Sequence, residues 1–269
     1  MTKAVWASIL FATSIGGAGI ANADKLDEVI SSGVLRCAVV LDFPPMGYRE
    51  ADGTPAGFDV DYCADLAAAL DVKPEIVETA MSDRIAALIS NRADVIVGST
   101  SDTLERAKVV GFSVPYFVFQ HVLLTPKDSD ISTWDDAKGK TIGVISGSYE
   151  AMHLESTLND WAGEVRYYQT QNDVILAVEQ GHVDASISVS SVVAASINSG
   201  DFGNLKMGGV VPTPPDFSAL AAARHEYGFI DYLSLFVNQQ TRTGRYQELY
   251  TKYYHTTDVP SLVVPDVYR

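Results

Sequence analysis

Several things are scarce or missing in this sequence, and each absence narrows what the protein can be. There are only two cysteines and five histidines, and the histidines are scattered. No Cys/His cluster has the spacing of zinc ligands, so no metal site is expected. No G-x-G-x-x-G follows the first strand-like run and no P-loop occurs, which removes the common dinucleotide and nucleotide signatures. No cofactor is expected either. Ser146-Gly147-Ser148 is not a G-x-S-x-G elbow, and His121, His153 and His182 fall near three different elements with no triad around them. The sequence therefore nominates no catalytic residue. Repeats and low-complexity stretches are absent, which removes solenoids and disordered tails. Basic residues are few, 19 Lys and Arg against 34 Asp and Glu, for a net charge of −15. Such a chain repels nucleic acid and anionic membrane surfaces. It does not repel every anion, because a pocket can gather a few arginines locally.

What is present begins with residues 1–23. Lys3 gives a short positive start, an apolar run follows from about Val5 to Ile20, and Ala21-Asn22-Ala23 supplies an A-x-A pattern. This reads as a secretory signal peptide cleaved after Ala23. The alternative is a membrane anchor, but the run is short and broken by Gly16, Gly17 and Gly19. Cleavage removes Lys3 and no acid, so −15 becomes −16. The mature protein is expected to be soluble and periplasmic. In that oxidising compartment Cys37, in an apolar strand, and Cys63, on a helix face, can pair if the fold brings them together. Spacing alone does not separate a bridge from two small buried side chains.

The mature chain, 269 residues less the leader, alternates strand and helix. Strands are expected at 34–42, 74–78 and 93–99, with helices at 58–70 and 84–91 between them. The apolar strands point to a parallel sheet covered on both faces. A polar, turn-rich break at 127–140 interrupts the pattern. It then restarts, with strands at 140–146, 164–168 and 183–188 and helices at 147–158 and 172–181. The Pro-containing stretch 210–216 excludes helix and central strand. Two lobes result: 24–121 begins the first, 122–215 forms the second, and 216–269 returns to the first. Ligands of such sheets sit beyond the carboxyl ends of the strands, here across one cleft.

Four segments fall at that position. GSTSDTLER (98–106) follows a strand and is expected to open a helix, with Asp102 and Glu105 as a capping box. Ser99, Ser101 and Arg106 are left over by that explanation, and an Arg beside a helix start suits a carboxylate. SGSYEA (146–151) repeats the design with Ser148, which equally fits a plain N-cap. LDFPPMGY (41–48) offers Phe43 and Met46 as an apolar wall, or as a loop packed on its own lobe. MSDRIAAL (81–88) places Arg84 at a helix start as a second anion contact.

These residues, with GFDVD (57–61), FSVPYF (112–117) and the Gly244 and KYY features of the C-terminal helices, resemble the family-3 extracytoplasmic solute-binding proteins over essentially the whole mature chain. The resemblance implies an α/β, type II-like periplasmic-binding-protein fold of two lobes joined by two crossover strands, closing on a ligand. It implies that Arg106 clamps an α-carboxylate, that Ser99, Ser101 and Ser148 contribute backbone and hydroxyl groups, and that Phe43 packs over the ligand. It puts Arg84 on a second anionic or polar group and adds Gln171 as a contact. One position departs from the pattern. Val189 stands where most amino-acid receptors carry the Asp that binds the ammonium, so another acid (Asp42, Glu150 or Asp173) substitutes, or the ligand is not an ordinary α-amino acid.

The implied function is that of the periplasmic receptor of an ABC importer, a monomer that binds an amino acid or related carboxylated solute and delivers it to an inner-membrane permease. It is not an enzyme and has no nucleic-acid partner. The alternatives on the same fold are a cyclohexadienyl-dehydratase-like enzyme and a sensory ligand-binding protein.

Overall fold

The computed structural model describes residues 24–262. The expected leader lies outside them. Helix α1 (Lys25–Ser32) leads into β1 (Val34–Val39), and the small hairpin of β2 (Tyr48–Arg49) and β3 (Pro55–Ala56) precedes α2 (Phe58–Ala69). Strand β4 (Lys73–Glu78), α3 (Arg84–Ile89) and β5 (Val95–Ile96) follow. The long β6 (Val110–Phe119) runs almost directly into β7 (His121–Pro126). Next come β8 (Thr141–Ile145), α4 (Tyr149–Trp161), β9 (Glu164–Tyr168), α5 (Gln171–Glu179), β10 (Ala185–Val189), α6 (Ser190–Ser199) and β11 (Leu205–Val210). The chain closes with β12 (Asp216–Ala223), α7 (Tyr227–Arg242) and α8 (Arg245–Tyr254).

These elements build two five-stranded sheets, ordered β4-β1-β5-β12-β6 and β11-β7-β10-β8-β9. The expected parallel pairing holds for β1 with β4 and β5, and for β8 with β9 and β10. The sheets are nevertheless mixed. Strand β12 pairs antiparallel with β5 and β6, and β7 pairs antiparallel with β10 and β11. The reason is topological: the chain crosses between lobes at Gln120 and again at 211–215, and the strands entering and leaving each lobe lie side by side in opposite directions. Both crossings are short, so the two lobes share one hinge.

The core follows the alternation. Val39, Val95, Val97 and Leu220 from the first sheet meet Phe58, Tyr62 and Leu66 of α2 and Phe229, Leu233 and Phe236 of α7 in one cluster. Ile142, Val144, Ala185 and Ile187 pack under Leu154 of α4 in the second lobe. On its other face, Val122 and Leu124 pack against Ile175 and Val178 of α5. Asp24 caps α1 by accepting from the Leu26 N–H at 3.0 Å. It also accepts from the Gly228 and Phe229 N–H groups at the start of α7, at 2.9 and 3.1 Å. The first described residue thus pins the returning C-terminal segment to the first lobe.

Cys37 of β1 and Cys63 of α2 form a disulfide, with Cα atoms 6.3 Å apart. The option left open by the sequence is decided by the packing of α2 across β1.

Candidate functional site

The segment 98–106 differs from expectation. No α-helix starts there; only a short 3-10 turn forms at Arg106–Lys108. Asp102 does not cap it. Instead the Asp102 N–H donates to the Phe217 carbonyl of β12 at 3.0 Å. Burial pushes the Asp102 carboxyl up to about 6, with the nearby Asp216 charge adding to the shift. The local D-x-x-E pattern loses to β12, which lies alongside and claims the backbone: Ser101 bridges to Ser218. An anion here therefore meets side-chain guanidinium groups rather than the free N–H groups of a helix.

Ser99 turns the chain through a left-handed conformation, with φ of 50°. Three bonds hold it there. Its hydroxyl donates to Asp59 Oδ2 at 3.0 Å, its N–H donates to Tyr116 Oη at 3.1 Å, and Tyr116 in turn donates to Asp59 Oδ1 at 2.6 Å. A non-glycine residue at positive φ persists only where its surroundings over-determine it. Burial raises Asp59 to about 7, against the pull of the Tyr116 and Ser99 bonds. The result of this turn is that the carbonyls of Gly98 and Ser99 face Arg84, whose Nη1 donates to them at 2.7 and 3.1 Å.

Arg84 and Arg106 converge. Arg106 Nη1 donates to the Ser101 carbonyl at 3.1 Å, and its Nη2 reaches across to the Gly147 carbonyl of the second lobe at 2.8 Å. Arg84 Nη2 donates to the same carbonyl at 3.3 Å. Both side chains are buried, at 2% and 7% exposure. Burial, and then the Arg106 charge, push Arg84 down to about 9; burial likewise lowers Arg106. Buried cations are ordinarily paired. Among the described residues neither guanidinium forms a side-chain ion pair, and Asp216 and Glu150 act on both only through their field.

The second lobe supplies the facing surface. Gly147 has φ of 76°, and a Cβ built on it would stand 2.8 Å from the Ser82 Cα and 3.3 Å from the Met81 carbonyl oxygen. The lobes meet in contact at this glycine. Ser148 is the N-cap of α4, its hydroxyl accepting from the Ala151 N–H at 3.1 Å. Gln171 opens α5; its N–H donates to Asp42 Oδ2 of the first lobe at 3.1 Å. The Gln171 side-chain carbonyl accepts from Ser188 at 3.4 Å, while its buried Nε2 has no partner. Phe43 packs edge-on to Phe119 at the hinge, with centroids 6.2 Å apart. Met46 is fully buried, and its sulfur accepts from Tyr254 Oη at 3.0 Å. Its burial is thus accounted for by the first lobe's own core.

Asp59, Tyr116 and Asp216 carry no signal in the sequence that marks them as parts of the site. Asp59 opens α2 and Tyr116 lies on β6; only the tertiary fold aims them at residue 99. Asp216 follows the Pro-containing stretch with no local signal at all.

The model of the bacterial extracellular solute-binding proteins, family 3, matches residues 35–256. A probable histidine-binding protein of Neisseria gonorrhoeae is 26% identical over 82% of this chain and 83% of its own. The structure of an ancestral arginine-binding protein bound to arginine superposes with a TM-score of 0.78 at 27% identity, covering 82% of this chain and 98% of that one. A cyclohexadienyl dehydratase of Pseudomonas aeruginosa is 38% identical, but over only 36% of each chain.

Proposed function

The chain belongs to the bacterial extracellular solute-binding proteins, family 3, and from that membership and the cleft we propose that it captures an amino acid or related carboxylated solute between its lobes. It works in the periplasm, after removal of the leader at Ala23, and hands its cargo to an inner-membrane ABC permease. One observation carries the choice of ligand chemistry: two buried guanidinium groups meet at the lobe seam, and among the described residues no carboxylate is bonded to either. A carboxylate entering there replaces neutral carbonyl acceptors by an anionic one that a guanidinium grips bidentately. Arg106 takes the α-carboxylate. Arg84, the first residue of α3, takes a second polar or anionic group. Ser99 and Ser101 set the shape of the floor, and Ser148 and Gln171 close the roof. Phe43 and Met46 act from behind, by packing.

Closure is the second half of the mechanism. The Gly147 carbonyl, the Gln171 N–H and the α4 N-terminus all come from the second lobe, so the site is complete only when the lobes touch. The short crossings at Gln120 and 211–215 allow that motion with few backbone changes. Titration calorimetry with the twenty L-amino acids tests the reading: at least one binds, and Arg106→Ala removes most of the affinity. Unchanged binding in that variant would sink it.

The partial identity to a dehydratase raises a second reading, that of an enzyme. We hold to a non-catalytic receptor, since the match leaves most of the chain uncovered. Incubation with prephenate or arogenate followed by product analysis decides between them, with no turnover expected.

A further inference from the structure

We propose that Glu150 and Asp216, with His121 set between them, form the subsite that receives the positively charged nitrogen of the bound amino acid. The proposal rests on the amino-acid reading above. An ammonium carried into a closed cleft needs a carboxylate there, because an unpaired buried charge is costly. The carboxyl end of β10 supplies none: Val189 is apolar, 2% exposed and packed in the core. The other acids are spoken for or misplaced. Asp42 accepts the Gln171 N–H, Asp59 serves Ser99 and Tyr116, Asp94 pairs with Arg36, and Asp173 is exposed.

Glu150 and Asp216 remain, and both are buried. Glu150 comes from the first turn of α4 in the second lobe. Asp216 opens β12 at the crossing between lobes. His121, the first residue of β7, pairs in register with Val189 and so occupies the neighbouring strand at the same level. Its Nε2 lies 3.5 Å from Glu150 Oε1 and 3.4 Å from Asp216 Oδ2. Neither approach makes a hydrogen bond. His121 Nε2 and Asp216 Oδ1 are both buried without a hydrogen-bond partner, although His121 Nδ1 is tied to Thr213 Oγ1 at 3.0 Å. Buried polar atoms left in this state are rare in folded proteins and point to a missing group. A primary ammonium has three donors for these acceptors.

The subsite also lies in the right place. Glu150 and Asp216 are the carboxylates whose field acts on both Arg84 and Arg106. The anion and cation subsites therefore lie within reach of each other's field. His121 adds a signature. Besides Glu150 and Asp216, it faces Tyr149, stacked at 5.4 Å, with Thr213 on Nδ1, His153 a turn further along α4 and apolar Val189 across the strand. Burial lowers the imidazole's proton affinity, but the two carboxylates more than offset it, leaving the value above that of a free histidine. Protonated His121 competes with an ammonium for the same two acids.

The test is a matched pair of probes: the tightest-binding L-amino acid and the same acid without its amine, such as L-glutamate against glutarate or L-alanine against propionate. Calorimetry is run on the wild type, Glu150→Gln, Asp216→Asn and Arg106→Ala. Each acid variant should weaken the amino acid by roughly 30-fold or more, in line with breaking a buried charge pair. It should change the amine-free acid by less than about threefold. Wild-type affinity for the amino acid should fall as pH is lowered and His121 gains its proton, at a pH above that of a free histidine, and that fall should be lost in His121→Gln. If Arg106→Ala abolishes binding while both acid variants keep the ratio between the two probes, this inference fails and the receptor reading stands. If the wild type binds no amino acid, both fall together. Far-ultraviolet circular dichroism and urea midpoints confirm that each variant is folded, and a variant that unfolds is replaced by Glu150→Asp, which should shift the same ratio.

Discussion

Adding a single methyl group at Gly147 should weaken ligand binding without touching the ligand. The backbone there has φ of 76°, and an added Cβ would sit 2.8 Å from the Ser82 Cα and 3.3 Å from the Met81 oxygen, both in the opposite lobe. Carbon atoms in contact prefer about 3.5–4.0 Å. The seam in Gly147→Ala must therefore open by roughly 0.7 Å at its tightest point, given that preferred separation. Two costs follow, and they separate cleanly. Left-handed backbone costs a non-glycine residue about 1–2 kcal/mol, in the open and closed forms alike. Overpacking costs about 1–3 kcal/mol and falls only on the closed form. The second term lowers affinity by roughly 5- to 150-fold. The same displacement lifts the Gly147 carbonyl from Arg106 Nη2, now 2.8 Å away, and from Arg84 Nη2 at 3.3 Å. Calorimetry with the tightest-binding amino acid measures the affinity, a urea midpoint measures the shared backbone cost, and small-angle scattering reads closure. An affinity within about twofold of wild type, which is under 0.5 kcal/mol, together with normal compaction on binding would refute the idea that the lobes close on this glycine.

Other substitutions probe the rest of the site. Arg106→Lys keeps the charge but loses the planar fork, so binding should fall by about tenfold or more rather than recover. Asp59→Asn addresses the floor. Asp59 rises from 3.8 to about 7 on folding, so the folded state holds its proton more tightly than the unfolded chain. Its contribution is fully present below about pH 4 and is lost as pH rises through about 7, a change on the order of 4 kcal/mol. Urea unfolding of the wild type at several pH values should show that slope, and Asp59→Asn should flatten it; an equal slope in both would exclude Asp59 as its source. The disulfide closes a separation of 26 residues, for which chain entropy gives about 3.5 kcal/mol. The double variant Cys37→Ser, Cys63→Ser should lose about that much in denaturant melts while keeping its ligand affinity, since neither cysteine reaches the cleft face described here.

The alternation of apolar runs carried the two-lobed α/β architecture, because a strand buried on both faces and an amphipathic helix each announce themselves locally. The Pro-containing stretch before β12 likewise marked a crossing. Arg84 and Arg106 were legible as candidates because both follow strand ends at the cleft face. The capping box at Asp102 was legible too, and wrong: a local pattern worth about 1 kcal/mol yields to a neighbouring strand that takes up the backbone.

Sequence by itself determined which residues carry charge and where turns fall. Only tertiary structure decided which of them face one another. Gly147 serves both arginines because the lobes meet there. Ser99 holds a strained turn because Asp59 and Tyr116, 40 and 17 residues away, bind it. Asp216 stands beside His121 because the two crossings bring the chain back 95 residues later. Burial, not residue type, turns these groups into a site: the same arginines and carboxylates on the surface would be screened and matched by water.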